Sequence, residues 1–279
     1  MEITHYVPEN SLLKPYIAGI YLLERYAGEA PERYLAFPGV HQFVTINREV
    51  ICSAGNRQVA FCYQANQPPT SLLVAGFGAP RLWSYQGPVQ EWNICFKPLG
   101  LHHFLDSSLI DFESTPVQSD FTPFPDYAGH AEALYTLSDH IAQARFIEDY
   151  WASKLKAFKH AFLEELVSKI LENNKEHRLN FSELARHFNI SRHTLHTAFK
   201  RYVGTTPARF EKVHRFRNAL AAYRLSGESV KLTHISGEAA YFDQSHMIRD
   251  FKSFTGFTPK DFYKKIATFP KGDINWAFV

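Results

Sequence analysis

The chain has 279 residues, 45% of them hydrophobic and 21% charged, which suits a globular protein of two ordinary domains or one large one. No apolar run reaches the ~18–20 residues of a membrane span, and the opening MEITHYVPEN lacks the basic-then-apolar order of a secretory leader. The net charge of +2 conceals a split: residues 1–155 hold 9 basic and 16 acidic side chains, and residues 156–279 hold 21 and 12. The first part is net −7 and the second net +9, so the second carries the footprint of something that binds a polyanion, and the change of sign sets a domain boundary near 155. Three scattered cysteines, Cys52, Cys62 and Cys95, argue against a disulfide framework and read as reduced thiols of a cytoplasmic protein.

Residues 1–97 read as mostly strand. YIAGIYLLERY, HQFVTINREVICS, TSLLVAGF, RLWSYQ and EWNICFKP are short, rich in β-branched and aromatic residues, and punctuated by Gly, Pro and Asn. Such spacing predicts a barrel-like or sandwich arrangement. A short helix is expected at Leu101–Leu105. From about Asp126 the period becomes helical, and HAFLEELVSKILENN puts Phe162, Leu163, Leu166, Val167, Ile170 and Leu171 on one face. Pro and Gly are sparse from Ala131 to Asn180, so the connection around Phe146–Phe158 is expected to be helical.

The basic part contains an internal duplication. FKRYVGTTPARF at 199–210 and FKSFTGFTPKDF at 251–262 share Phe, Lys, Gly, Thr, Pro and Phe at a constant offset of 52. Before each copy lie two short apolar stripes: Phe181, Leu184, Ala185 and Phe188, then Leu195, Ala198, Phe199 and Tyr202; Leu232, Ile235 and Ala239, then Met247, Phe251 and Phe254. Two short helices with a tight turn, twice over, predict a pair of helix-turn-helix units. Asn180 with Glu183 forms a capping-box pattern, Ser191 and Asp243 suit the caps of the second helices, and Gly204 and Gly256 suit their ends. Opposite the apolar stripe, the second helix of unit one carries Arg192, His193, His196, Thr197, Lys200 and Arg201; that of unit two carries Gln244, Ser245, Arg249 and Lys252. Arg reads guanine, Gln reads adenine, and Ser, Thr or His meet base or phosphate in the major groove.

The last ~105 residues resemble the DNA-binding domain of the AraC/XylS family of transcription regulators. ISGEAAYFDQSHMIRDFKSFTGFTPKDFYKK, from Ile235 to Lys265, matches that family's second unit at Ile235, Tyr241, Asp243-Gln244-Ser245-His246, Arg249, Phe251-Lys252, Gly256, Thr258-Pro259 and Phe262. LARHFNISRHTLHTAFKRYVGTTPARF is similar to the first unit, and FEKVHRFRNALAAY to the helix joining the two. Where the family usually has Gly before each second helix, this chain has Asn189 and Ala240; Asn tolerates a left-handed backbone, and Ala does so at ~1 kcal/mol or more. The resemblance implies an α+β molecule, with a mostly-β sensor or dimerisation part at 1–155 and an all-α DNA-binding part at 156–279. It implies unit one at about 181–204, the linking helix at about 207–224 and unit two at about 232–256. It also implies that His193, His196 and Thr197, then Gln244, Ser245 and Arg249, face bases in successive major grooves one helical turn, ~34 Å, apart. Ser182, Arg192, Lys200, Arg201, Lys252 and the helix starts at Pro207 and Pro259 are then expected at phosphates.

The N-terminal strands followed by FKPLGLHHFL look like the sensor part of a subgroup of these regulators. His41, Asn47, Trp83, Tyr85, Trp92 and Phe96 are candidates for an effector pocket, although alternating aromatics on strands more often form plain core. Double-stranded DNA is the expected partner, with a small-molecule effector, RNA polymerase and a second copy of the chain as further candidates. No cofactor or metal is expected. A cupin-like metalloenzyme needs His-x-His on a strand, and the adjacent His102-His103 falls in a helical stretch, its side chains ~100° apart. A DNA alkyl-repair protein needs four grouped thiols, more than this chain has. Control by a protein partner or by dimerisation, without a small ligand, is the alternative to effector control.

Overall fold

The computed structural model describes residues 1–55, 57–105, 116–173, 179–226, 235–237, 239, 241–266 and 276–278. A β-rich part comes first and helices follow, as expected. The strands are β1 (Glu2–Tyr6), β2 (Ile17–Arg25), β3 (Glu32–Ala36), β4 (Gln42–Arg48), β5 (Val50–Ala54), β6 (Gln58–Tyr63), β7 (Thr70–Ala75), β8 (Arg81–Gln86), β9 (Val89–Phe96), β10 (Val117–Ser119) and β11 (Trp276–Phe278). They form two open sheets rather than a closed barrel, ordered β1-β2-β9-β4-β7-β10 and β11-β3-β8-β6-β5. The described pairings are antiparallel except β6 with β8. HQFVTINREVICS is not one strand. Glu49 takes a left-handed φ of 51° and turns the chain from β4 in the first sheet to β5 in the second.

The first sheet is buried on both faces. Alternation sends Leu22, Ile46, Trp92 and Ile94 to one side, where they join Leu134, Ile147 and Trp151 of helices α1 (Tyr127–Leu134) and α2 (His140–Ser153). It sends Leu23, Leu72 and Val74 to the other side, against Tyr34, Phe61, Trp83 and Tyr85 of the second sheet. Trp151 is the centre of the helix-side core, edge-on to Phe96, Phe104 and Phe124, and Trp92 donates its indole N–H to Gln143 Oε1 at 3.0 Å.

The helical part consists of α3 (Leu163–Glu172), α4 (Phe181–His187), α5 (Arg192–Val203), α6 (Pro207–Ser226), α7 (Gln244–Thr255) and α8 (Pro259–Ile266), with residues 235–237 also helical. The connection expected to be helical is so only to Ser153. From Lys156 the chain runs extended, because Lys156 donates its N–H to His103 O at 2.8 Å and Phe158 packs on the rings of His102, His103 and Tyr202. His102 and His103 sit in a 3-10 turn, Gly100–His103. The short strand β11 adds backbone pairing to β3, so the otherwise helical C-terminal part returns one strand to the first part.

The two parts touch along α6. Arg209 donates to the carbonyls of Phe77 (3.0 Å) and Gly78 (3.2 Å), and Arg217 to that of Phe37 (2.9 Å). Phe77 meets Phe210, and Phe37 meets Phe262 edge-on. A His102 ring nitrogen donates to the carbonyl of Tyr202. These contacts use the side of α6, Tyr202 near the end of α5 and Phe262 of α8, and leave the outer faces of α5 and α7 open.

Candidate nucleic-acid interface

The duplication in sequence is a duplication in space. α5 and α7 are both 12 residues long and begin 52 positions apart; α6 and α8 begin at Pro207 and Pro259, the same offset. Each second helix is capped by a side chain: Ser191 Oγ accepts from Thr194 N at 2.9 Å, and Asp243 Oδ1 from His246 N at 2.6 Å. Each ends at a left-handed glycine, Gly204 (φ 85°) or Gly256 (φ 80°), the conformation that a helix end asks of glycine. Asn180 caps α4 through Ser182 N and Glu183 N. Asn189 holds φ 54°, so asparagine takes up the left-handed turn position; the equivalent Ala240 and the stripe residue Leu232 lie outside the described residues.

The inner faces bury Leu195, Phe199 and Val203 on α5, and Met247, Phe251 and Phe254 on α7. The outer faces are polar and open. Arg192, His193, His196, Thr197 and Arg201 are exposed on α5, and Lys200 is half-buried; on α7, Ser245, Arg249 and Lys252 are exposed and Gln244 half-buried. Ser182 is exposed at the start of α4. Pro207 and Pro259 are buried and have no N–H, so an anion at those helix ends would meet the amides that follow them.

The two turns differ by one residue. Ile190 N bonds to Ala185 O and Tyr241 N to Ser236 O, an offset of 51, whereas the caps Ser191 and Asp243 are 52 apart. The second turn therefore holds one extra residue, Phe242. It is 93% exposed and stands beside the N-terminal end of α7. Helical periodicity alone does not mark this residue; the count between the paired landmarks does.

α7 is anchored to α6 by buried charge. Asp250 lies 3.0 Å from Lys212 Nζ and 3.8 Å from Arg215 Nη2, and Arg215 also meets Glu211. Both cations sit on α6, so the placement of α7 against α6 is fixed by ion pairs as well as by the Phe216–Phe251 and Phe216–Phe254 ring contacts.

The pocket candidates separate. Trp83 and Tyr85 face the space between the sheets with Asn47, whereas Trp92 and Phe96 face the helices; His41 precedes β4 and is half-buried. One strand cannot send Trp92 and its neighbour Glu91 to the same side.

A family described as a helix-turn-helix domain matches residues 184–265. The chain is 29% identical over 104 residues to the F1 operon positive regulatory protein of Yersinia pestis, covering 37% of this chain and 34% of that protein. The chain thus matches about a third of the length of that relative. It is 24% identical over 233 residues to the Msm operon regulatory protein of Streptococcus mutans, covering 80% of each. Among solved structures, unsaturated-fatty-acid-bound ToxT of Vibrio cholerae is similar with a TM-score of 0.47 at 10% identity, over 92% of this chain and 96% of that one. A transcriptional regulator of Chromobacterium violaceum with an AraC-type DNA-binding domain is 24% identical with a TM-score of 0.33, over 38% of this chain and 92% of that one. Both capped helices, α5 and α7, lie inside the matched residues, so residues 184–265 carry the helix-turn-helix domain that this family describes.

Proposed function

We propose that this regulator reads bases with His193, His196 and Thr197 of α5 and with Gln244, Ser245 and Arg249 of α7, in two successive major grooves. Arg192, Lys200, Arg201, Lys252 and the amides at the starts of α4, α6 and α8 hold phosphates. Residues 156–279 act as the DNA-binding domain, and residues 1–155 as a domain that binds a small effector and passes the signal through its contacts with α6. The observation that carries the DNA reading is the pair of equal, equally capped helices with open donor-rich faces on a part of net charge +9. The effector reading is supported by the polar side chains Asn47, Glu91 and Asn93 buried between the two sheets, where a plain sandwich core would be apolar.

Selection of bound duplexes from random DNA, with the full chain, tests the reading. Two short conserved blocks ~10–10.5 base pairs apart are expected. Enrichment of a single block, or of none, contradicts two-groove recognition.

A further inference from the structure

The two helix-turn-helix units are built alike but are joined to α6 differently. At the offset of 52, Leu195 and Phe199 of α5 match Met247 and Phe251 of α7, and all are buried. Between them, Ala198 of α5 is matched by Asp250 of α7, so a carboxylate stands where the first unit has a methyl group. Asp250 is 2% exposed and faces Lys212 and Arg215 of α6. Taking such a charge out of water is costly unless it is paired. The first unit seats α5 on α6 with the Phe199–Phe210 ring contact and no carboxylate at this position, so attachment alone does not call for Asp250.

The charges continue past α7. Arg215 Nη1 is 3.6 Å from Glu211 Oε1, and the same oxygen accepts from the backbone N–H of Leu179 at 3.2 Å. Leu179 directly precedes Asn180, the cap of α4. A buried polar chain thus runs from the entry of unit one, through Glu211 and Arg215, to Asp250 of unit two. On α6 it lies between Phe210, which touches α5, and Phe216, which touches α7. The chain is slack at one link. Arg215 Nη2 and Asp250 Oδ2 are 3.8 Å apart, beyond hydrogen-bond reach, and His246 Nε2 is equally far from that oxygen. Asp250 Oδ2 and Arg215 Nε are both buried without a hydrogen-bond partner among the described residues. A buried group left unmet is costly, and a shift of α7 by about 1 Å brings guanidinium and carboxylate to hydrogen-bond distance.

We propose that this chain couples the two reading helices: Glu211, Arg215 and Asp250 are positioning residues through which the docking of one unit in its groove favours the docking of the other. The inference rests on the reading of α5 and α7 as the base-reading helices and adds the device that links them. When α7 settles in a groove and closes on Arg215, the guanidinium is held more firmly against Glu211, and Glu211 against the amide that leads into α4. Coupling of this kind is carried by a contiguous network with two arrangements, here slack and closed.

The test is a cycle on the duplex that the full chain selects. Affinity is measured for that duplex, for versions with either block scrambled, and for one with both scrambled. In the parent the two single losses should multiply to at least about fivefold more than the double loss, the low end of ordinary coupling between sites. In Glu211→Gln and in Asp250→Asn, each close in shape to the parent, that excess should fall below about twofold, the range of independent sites. A substitution that only loosened the fold would weaken all four duplexes alike and keep the excess. Melting temperatures show whether a variant unfolds. Glu211→Gln leaves the Lys212 and Arg215 contacts of Asp250 in place, so it decides the matter if Asp250→Asn does not fold. Losses that multiply independently in the parent overturn the coupling. An excess that survives both substitutions overturns the polar chain as its carrier. Selection of one block or none overturns the two-groove reading and the coupling with it, a failure visible before any variant is made.

Discussion

Arg249 and Lys252 leave the exposed side of α7 about one turn apart, and on the proposed reading they engage DNA in different ways. A guanidinium matches the two acceptors on a guanine edge, and an ammonium is a point charge suited to phosphate. Arg249→Ala should therefore cost ~1–3 kcal/mol on the selected duplex and relax preference at one or two base pairs, whereas Lys252→Ala should weaken every duplex about equally. Competition binding with single-base variants of the duplex separates the two. Phe242 would add a third kind of contact. Fully exposed beside the helix start, it contributes little to the fold and offers apolar surface to a thymine methyl or a sugar. Phe242→Ser should leave the melting temperature unchanged and weaken DNA binding; unchanged DNA affinity would remove it from the interface.

Two buried residues give stability opposite pH slopes. His130 is stacked on Tyr150 (3.8 Å) and Phe146 (4.7 Å), its Nε2 has no partner, and burial pulls its pKa down to about 4, against a small opposing pull from Asp126. The unfolded ring titrates near 6.5, so the unfolded chain takes up a proton that the folded one refuses, and the contribution is lost as pH falls from about 6.5 to 4. Glu91 is held up at about 7 by burial, facing Tyr85, Tyr34, Tyr21 and Cys52. Its folded pKa lies above the unfolded value, so its contribution is present below about 4.5 and lost as pH rises towards 7. In urea titrations, His130→Phe should flatten the acid-side loss, and Glu91→Gln should raise the midpoint most at pH 7 and above. A Glu91→Gln midpoint that falls at pH 8 would mean that the carboxylate is already neutralised.

At the scale of elements, caps and close approaches decide what the sequence made legible. The helix-turn-helix units could be read because their signals are local: Asn180, Ser191 and Asp243 cap, Gly204 and Gly256 terminate, and the apolar stripes repeat at a fixed offset. Strands β2, β4, β7, β8 and β9 could be read from their β-branched and aromatic runs. EITHY, ERYLA and QVAFCY could not, since each is short and its strand character comes from distant pairing, β6 with β8 in parallel above all. The polar row between the sheets was hidden for another reason. In a strand buried on both faces, alternation between Glu91 and Asn93 on one side and Trp92 and Ile94 on the other gives no sign of which side is the core. The start of the 3-10 turn Gly100–His103 shows how tightly such packing is set. A Cβ on Gly100 would lie 2.3 Å from the Tyr16 carbonyl oxygen, a backbone atom. Gly100→Ala should lower stability by ~2 kcal/mol or more, read as a drop in urea midpoint at unchanged slope. A loss under ~0.5 kcal/mol would mean that the β9–α1 connection yields freely.

Over the whole molecule, charge and contact divide the labour. The acidic β-rich part grips α6 through Arg209, Arg217 and the Phe37 and Phe77 rings, while the basic part keeps the open faces of α5 and α7 outward. Both α5 and α7 pack on α6, through Phe199–Phe210 and Phe216–Phe251, so any ligand that shifts the β part against α6 bears on both at once. On the proposed reading this basic, doubled unit binds DNA through phosphate neutralisation and base contact together. The most direct measurement is the affinity of the full chain for its selected duplex from 50 to 300 mM salt. Neutralising ~6–8 phosphates predicts that log K falls against log salt with a slope of about −5 to −7. A slope near zero would contradict the account.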